Sequence, residues 1–182
     1  MHTGTTILID FGTRDPRRNL PPSYGRKRGE VNYLSAFSRQ YINSQPEGAG
    51  GKHFSVPGFG IADFIWVSPS KSKPGTRQIS SEPSVMAFEV KLKDWKQALR
   101  QAYSYSYFAD QSVVVIPPGT GRATENINLF RRLRIGLWSF DAENGGIQVI
   151  HQPKGSKAIS SSARQKALAL LRRRFNLRKF FE

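Results

Sequence analysis

The sequence predicts an α/β fold, a mixed central β-sheet flanked by helices. Three observations carry this reading. Apolar runs of strand length alternate with segments of helical periodicity, in the order helix, strand, strand, strand, helix, strand. One run, "SVVVIP", has the continuous apolar character of a strand at the centre of a sheet. The length of 182 residues suits one domain of ordinary size with an appended helix.

Each element has its own signal. "TILIDF" near the N-terminus reads as a short strand. It leads into "GTRDPRRNLPPSYGRKRG", which holds three prolines, three glycines and six basic residues, so residues 1–29 read as a basic arm. "EVNYLSAFSRQYIN", residues 30–43, places Val31, Leu34, Phe37 and Tyr41 at helical spacing, and "SQPEGAGG" ends the helix. "KHFSV" and "GIADFIWV" are strands joined by a Pro-Gly turn. Residues 68–84 are poor in apolar groups and rich in turn formers, which predicts an exposed loop. "VMAFEVKL" is the next strand. "DWKQALRQAYSYSYFA", residues 94–109, is a helix with Asp94 at its cap and Ala98, Leu99, Ala102 and Phe108 on its apolar side. "ATENINLFRRL" reads as a helix, "RIGLWSFD" as a strand and "GGIQVIHQ" as its hairpin partner. The core domain therefore spans 30–152. Residues 153–182 form an extension whose last segment, "SARQKALALLRRRFNLRKFFE", reads as a basic helix.

Composition narrows the function. Lys and Arg number 28 against 13 Asp and Glu, a net charge of +15. That is the electrostatic footprint of a nucleic-acid binder, although an anionic membrane or an acidic partner would also attract it. No apolar run approaches ~18 residues, so no membrane helix is expected. The N-terminus lacks the pattern of a signal peptide. With no cysteine, disulfides and thiolate metal sites are excluded, and a cytoplasmic protein working with nucleic acid is expected.

Three charges interrupt otherwise apolar strands. Asp63 lies between Ala62 and Phe64, and Glu89 and Lys91 flank Val90. Burying an unpaired charge costs several kcal/mol, so these positions need a partner or a purpose. Strand side chains alternate between faces, so Glu89 and Lys91 point the same way, about 7 Å apart. If the two strands are neighbours, Asp63 lies beside Glu89. Two close carboxylates repel, and a divalent cation such as Mg²⁺ removes the conflict with oxygen ligands and waters. A lysine at such a site orients a water or stabilises negative charge developing on phosphorus.

Asp63, followed by Glu89-Val90-Lys91 on the next long strand, an amphipathic helix and an apolar strand, resembles the PD-(D/E)XK nuclease superfamily, the restriction-endonuclease-like proteins. The resemblance covers roughly residues 30–116. The literal Pro-Asp is absent, because Ala62 precedes Asp63. The resemblance implies a restriction-endonuclease-like core and a metal-dependent deoxyribonuclease, an endonuclease in the leading reading. Asp63, Glu89 and the carbonyl of Val90 would hold Mg²⁺, with Mn²⁺ able to substitute, and Lys91 would be the catalytic lysine. It further implies an acidic residue on the first helix, for which Glu30 is the candidate. A glutamate favoured by the helix dipole is an equal reading of that residue. Gln97, Gln101 and Tyr105 share one helix face, and Gln101-x-x-x-Tyr105 is similar to an element of the RecB-like exonucleases. Gln101 is taken as a site residue, and Tyr105 is expected in a half-exposed polar stripe.

DNA is the expected partner. Phosphate contacts are assigned to Arg26, Lys27 and Arg28 in the arm, Lys71, Lys73 and Arg77 in the 68–84 loop, and Arg100, Arg131, Arg132, Arg172, Arg173 and Arg174 on helices. A homodimer or a partner subunit stays open, and no membrane role is expected. A non-catalytic DNA-binding or assembly protein on the same fold and an RNA-directed nuclease are the alternatives.

Overall fold

The computed structural model describes residues 7–10, 28–45, 47–69, 82–119, 121–154 and 157–175. The chain runs β1 (Ile7–Asp10), α1 (Arg28–Ser44), β2 (Ala49–Val56), β3 (Gly60–Ser68), β4 (Ser84–Val90), α2 (Trp95–Tyr105) and β5 (Gln111–Ile116). After a single 3-10 turn at Gly121–Ala123 come α3 (Ile127–Leu133), β6 (Gly136–Phe140), β7 (Ile147–His151) and α4 (Ser161–Phe175). The seven strands form one sheet whose spatial order follows the chain. β1 pairs parallel with β2, and β2, β3 and β4 are antiparallel. β4, β5 and β6 are parallel, and β7 turns back antiparallel on β6. The α/β class and mixed sheet expected from the sequence are present.

Strand alternation divides the core into two layers. On one face, α1 sets Tyr33, Leu34, Phe37 and Tyr41 against Phe64, Trp66, Phe88, Trp138 and Phe140. The rings meet mostly edge-on, as Phe37 does with Phe88 at 5.3 Å between centroids. On the other face α2, α3 and α4 bring Ala98, Leu99, Ala102, Phe130, Ala167 and Leu171 to Ile65, Val67, Val85, Ala87, Val114 and Leu137. The alanines let the helices approach closely.

Three details depart from the sequence reading. Tyr33 rather than Val31 completes the buried stripe of α1, which turns the stripe toward Phe37 and leaves Val31 44% exposed. α3 starts at Ile127, because residues 121–126 form the 3-10 turn and a bend that ends at Asn126, the residue before the helix. β4 ends at Val90, so Lys91 lies just past the strand, although its N–H still donates to Val115 O at 3.0 Å.

Candidate active site

The β3–β4 ladder has Phe64 opposite Phe88 as its last pair. Continued one step, the register would set Asp63 opposite Glu89. The main chains part there instead. Val90 N–H donates to the Asp63 carboxylate (Oδ2) at 2.9 Å, so a side chain replaces a strand as the partner of that amide. This contact brings Asp63 to the C-terminal end of β4, next to Glu89 and Lys91. Asp63 and Glu89 are fully buried and Lys91 is 9% exposed.

The surrounding elements hold Glu89 from both sides of the sheet end. From α2, the Tyr105 hydroxyl lies 2.6 Å from Glu89 Oε2 and 2.6 Å from the carbonyl oxygen of Ile61 on β3. One phenolic proton thus stands between two acceptors. From the other side, Lys91 Nζ lies 3.4 Å from Glu89 Oε1 and 4.0 Å from Glu30 Oε2, in the first turn of α1. Gln101 sits one turn before Tyr105 on the same face of α2. Its side-chain oxygen is buried and accepts no hydrogen bond from the described residues. An orphaned acceptor of this kind suits a bound water or a ligand donor.

The electrostatics follow from the residues. Two carboxylates, Glu89 and Glu30, lie near the Lys91 ammonium, and a third, Asp63, accepts from the Val90 amide beside them. Carboxylate oxygen donors match a hard divalent cation that keeps several waters. The chemistry of Asp63 and Glu89 fits such an ion, and Gln101 Oε1 could accept from one of its waters. Among the described residues no cluster of three or more His, Cys, Asp or Glu is arranged to hold a metal, so waters would have to complete the shell.

Glu30, Asp63, Glu89, Val90, Lys91 and Gln101 come to one region, though they are spread over 72 positions from 30 to 101. Tyr105 joins them, against the expectation of a half-exposed stripe. It is 1% exposed because its ring enters the core and its hydroxyl ends at Glu89. The Gln101-x-x-x-Tyr105 spacing was its only signal in the sequence. The basic residues are dispersed. Arg100 on α2, Arg131 and Arg132 on α3, and Arg172 and Arg173 on α4 are exposed. Arg28 opens α1 and Arg174 lies near the end of α4. Arg26, Lys27, Lys71, Lys73 and Arg77 lie outside the described residues. His151 on β7 stands apart from the site, and burial, with the Arg131 charge second, pushes its pKa below the ordinary histidine value. Among the described residues no helix is long and apolar enough to cross a membrane. Comparison with protein families, with curated proteins and with solved structures finds no match to this chain.

Proposed function

We propose that the protein is a Mg²⁺-dependent nuclease that hydrolyses phosphodiester bonds in DNA, built on a restriction-endonuclease-like core. One observation carries the reading: where two strands of the sheet part, two carboxylates, Asp63 and Glu89, are fully buried, Asp63 accepting from the Val90 amide and Glu89 lying 3.4 Å from Lys91 Nζ. Carboxylate oxygens gathered at the end of a sheet suit a hard divalent cation that keeps several waters. The resemblance to PD-(D/E)XK nucleases and the net charge of +15 support the same substrate.

When bound, a divalent cation would polarise the phosphoryl group and acidify a water. The chain's own groups divide the remaining work. Asp63 and Glu89 would supply the ligand oxygens. Lys91 Nζ would leave Glu89 to meet a non-bridging phosphate oxygen or to orient the attacking water. Tyr105 holds the Glu89 carboxylate in one orientation, since a hydrogen bond to Oε2 leaves Oε1 facing Lys91. Gln101 Oε1 would accept a hydrogen from a water at the scissile bond.

The test is digestion of supercoiled plasmid and of linear single- and double-stranded DNA, each with Mg²⁺, Mn²⁺ or EDTA. Cleavage is expected with either metal, with none in EDTA and none from Asp63→Asn or Lys91→Met. Cleavage retained by either variant removes the assignment. A mobility shift with no cleavage of any substrate points instead to a DNA-binding or assembly protein.

A further inference from the structure

An open groove of about 500 Å³ runs between α2 and α3, apart from the carboxylate site. Its floor is apolar: Trp95, Leu99, Leu129 and Leu133. Two large apolar side chains stay open to solvent there, Leu129 at 39% and Tyr103 at 37%. The rim is cationic. Lys96 and Arg100, one turn apart on α2, are both exposed, and Lys96 Nζ stands 5.7 Å from the centre of the Trp95 ring. Neither forms an ion pair among the described residues, and no acidic side chain lines the groove.

We infer that this groove binds an unpaired nucleotide of the DNA substrate, the base against Tyr103 and the leucine floor, the phosphates on Lys96 and Arg100. The inference rests on the nuclease reading above and narrows its substrate to DNA with a single-stranded segment. Single strands are held by cations that track the backbone and by rings on which bases stack. The groove offers both, and Asn126 stands at its edge, where its Nδ2 donates to Arg122 O at 2.7 Å and its Oδ1 can accept from a base edge. A paired base keeps its faces inside the duplex, so only an unpaired one can enter. Around α2, the Lys96–Arg100 stripe lies next to the Gln97–Gln101–Tyr105 stripe. The helix that brings Gln101 and Tyr105 to the carboxylates therefore also forms a wall of the groove. An acidic amphipathic peptide would also suit an apolar floor. The two cations one turn apart, without an ion pair among the described residues, and the charge of the whole chain favour the nucleotide.

The experiment measures binding by fluorescence anisotropy in EDTA, where cleavage is arrested. The probes are labelled oligothymidylate, an abasic oligonucleotide with the same number of phosphates, and a blunt duplex. Oligothymidylate should bind about tenfold tighter than the abasic strand, a difference of about 1.4 kcal/mol. Tyr103→Ala and, separately, Leu129→Asn should abolish that difference. Lys96→Ala should weaken oligothymidylate and abasic strand alike. Equal affinity for the two strands, or a difference that survives both groove variants, overturns the inference and leaves only a basic surface. Displacement of oligothymidylate by an acidic peptide carrying Leu and Phe, with the abasic strand bound as tightly as oligothymidylate, assigns the groove to a protein partner. If plasmid cleavage persists in those cases, the nuclease reading stands without this one. Binding to no DNA of any kind removes both.

Discussion

Lys91→Met tests whether the cluster is held by its charges. The ammonium lies 3.4 Å from Glu89 Oε1, on a side chain that is fully buried. Methionine keeps most of the apolar stem and removes only the charge, so the loss reads the ion pair more than the packing. Removing one member of a buried pair costs about 3–5 kcal/mol, because the other loses its opposite charge, although Glu89 keeps the hydrogen bond from Tyr105. Lys91 is near the surface at 9% exposure, and its second contact, to Glu30, is long at 4.0 Å. Both facts place the cost at the low end, about 3 kcal/mol. A chain of this length shifts its Tm by roughly 2–4 °C per kcal/mol, so a fall of about 6–12 °C is expected. Differential scanning calorimetry in EDTA is the assay. Glu89→Gln in the Lys91→Met background removes the stranded charge and should recover at least about half of the fall. A fall below about 2 °C, or a double variant no more stable than Lys91→Met, would refute the argument that Lys91 offsets the cost of burying Glu89.

Further outcomes follow from other contacts. Tyr105→Phe removes a hydroxyl at 2.6 Å from both Glu89 and Ile61 O, and urea denaturation should show a loss of about 1.5–3 kcal/mol, with slower cleavage. Asp110→Ala breaks the 2.8 Å pair with Arg164 and the 2.7 Å bond from Val85 N–H, which tie α4 to the start of β4. Amide exchange should then speed in α4 more than in α2, and equal protection in α4 would contradict the tie. His151 is held below its ordinary pKa of 6.5, so the fold prefers the neutral ring. Its contribution is complete above 6.5 and is lost as pH falls through the lower folded value, so Tm should decline on acidification and His151→Gln should flatten the decline.

The sequence exposed the fold through alternation and the site through anomaly. Phe64 and Trp66 against Ile65 and Val67 announce a strand buried on both faces, and Asp63 stands out because it interrupts that pattern. The order of helices and strands from α1 to β5 was legible for the same reason. Where Asp63 meets β4 was not. Periodicity gives a face but not a register, and the departure from the ladder at Phe64–Phe88 depends on a bond from Val90 N–H. Tyr105 was misread because helical spacing ranks positions around an axis without saying how deep a polar tip can go. A phenol is buried readily when its hydroxyl finds an acceptor, and Glu89, 16 residues away, is that acceptor. The groove between α2 and α3 left no trace, since its walls join residues that are scattered through 95–133.

Lys91 reaches around the end of the sheet, to Glu89 on the layer of α2 and to Glu30 on the layer of α1. Its contact with Glu30 therefore forms only once the α1 layer has docked. A chain with α1 undocked would keep Lys91 beside Glu89 and lack Glu30 next to them. The charges at the sheet end are thus gathered across two layers of the fold, so a change that shifts α1 is felt at Lys91 through Glu30.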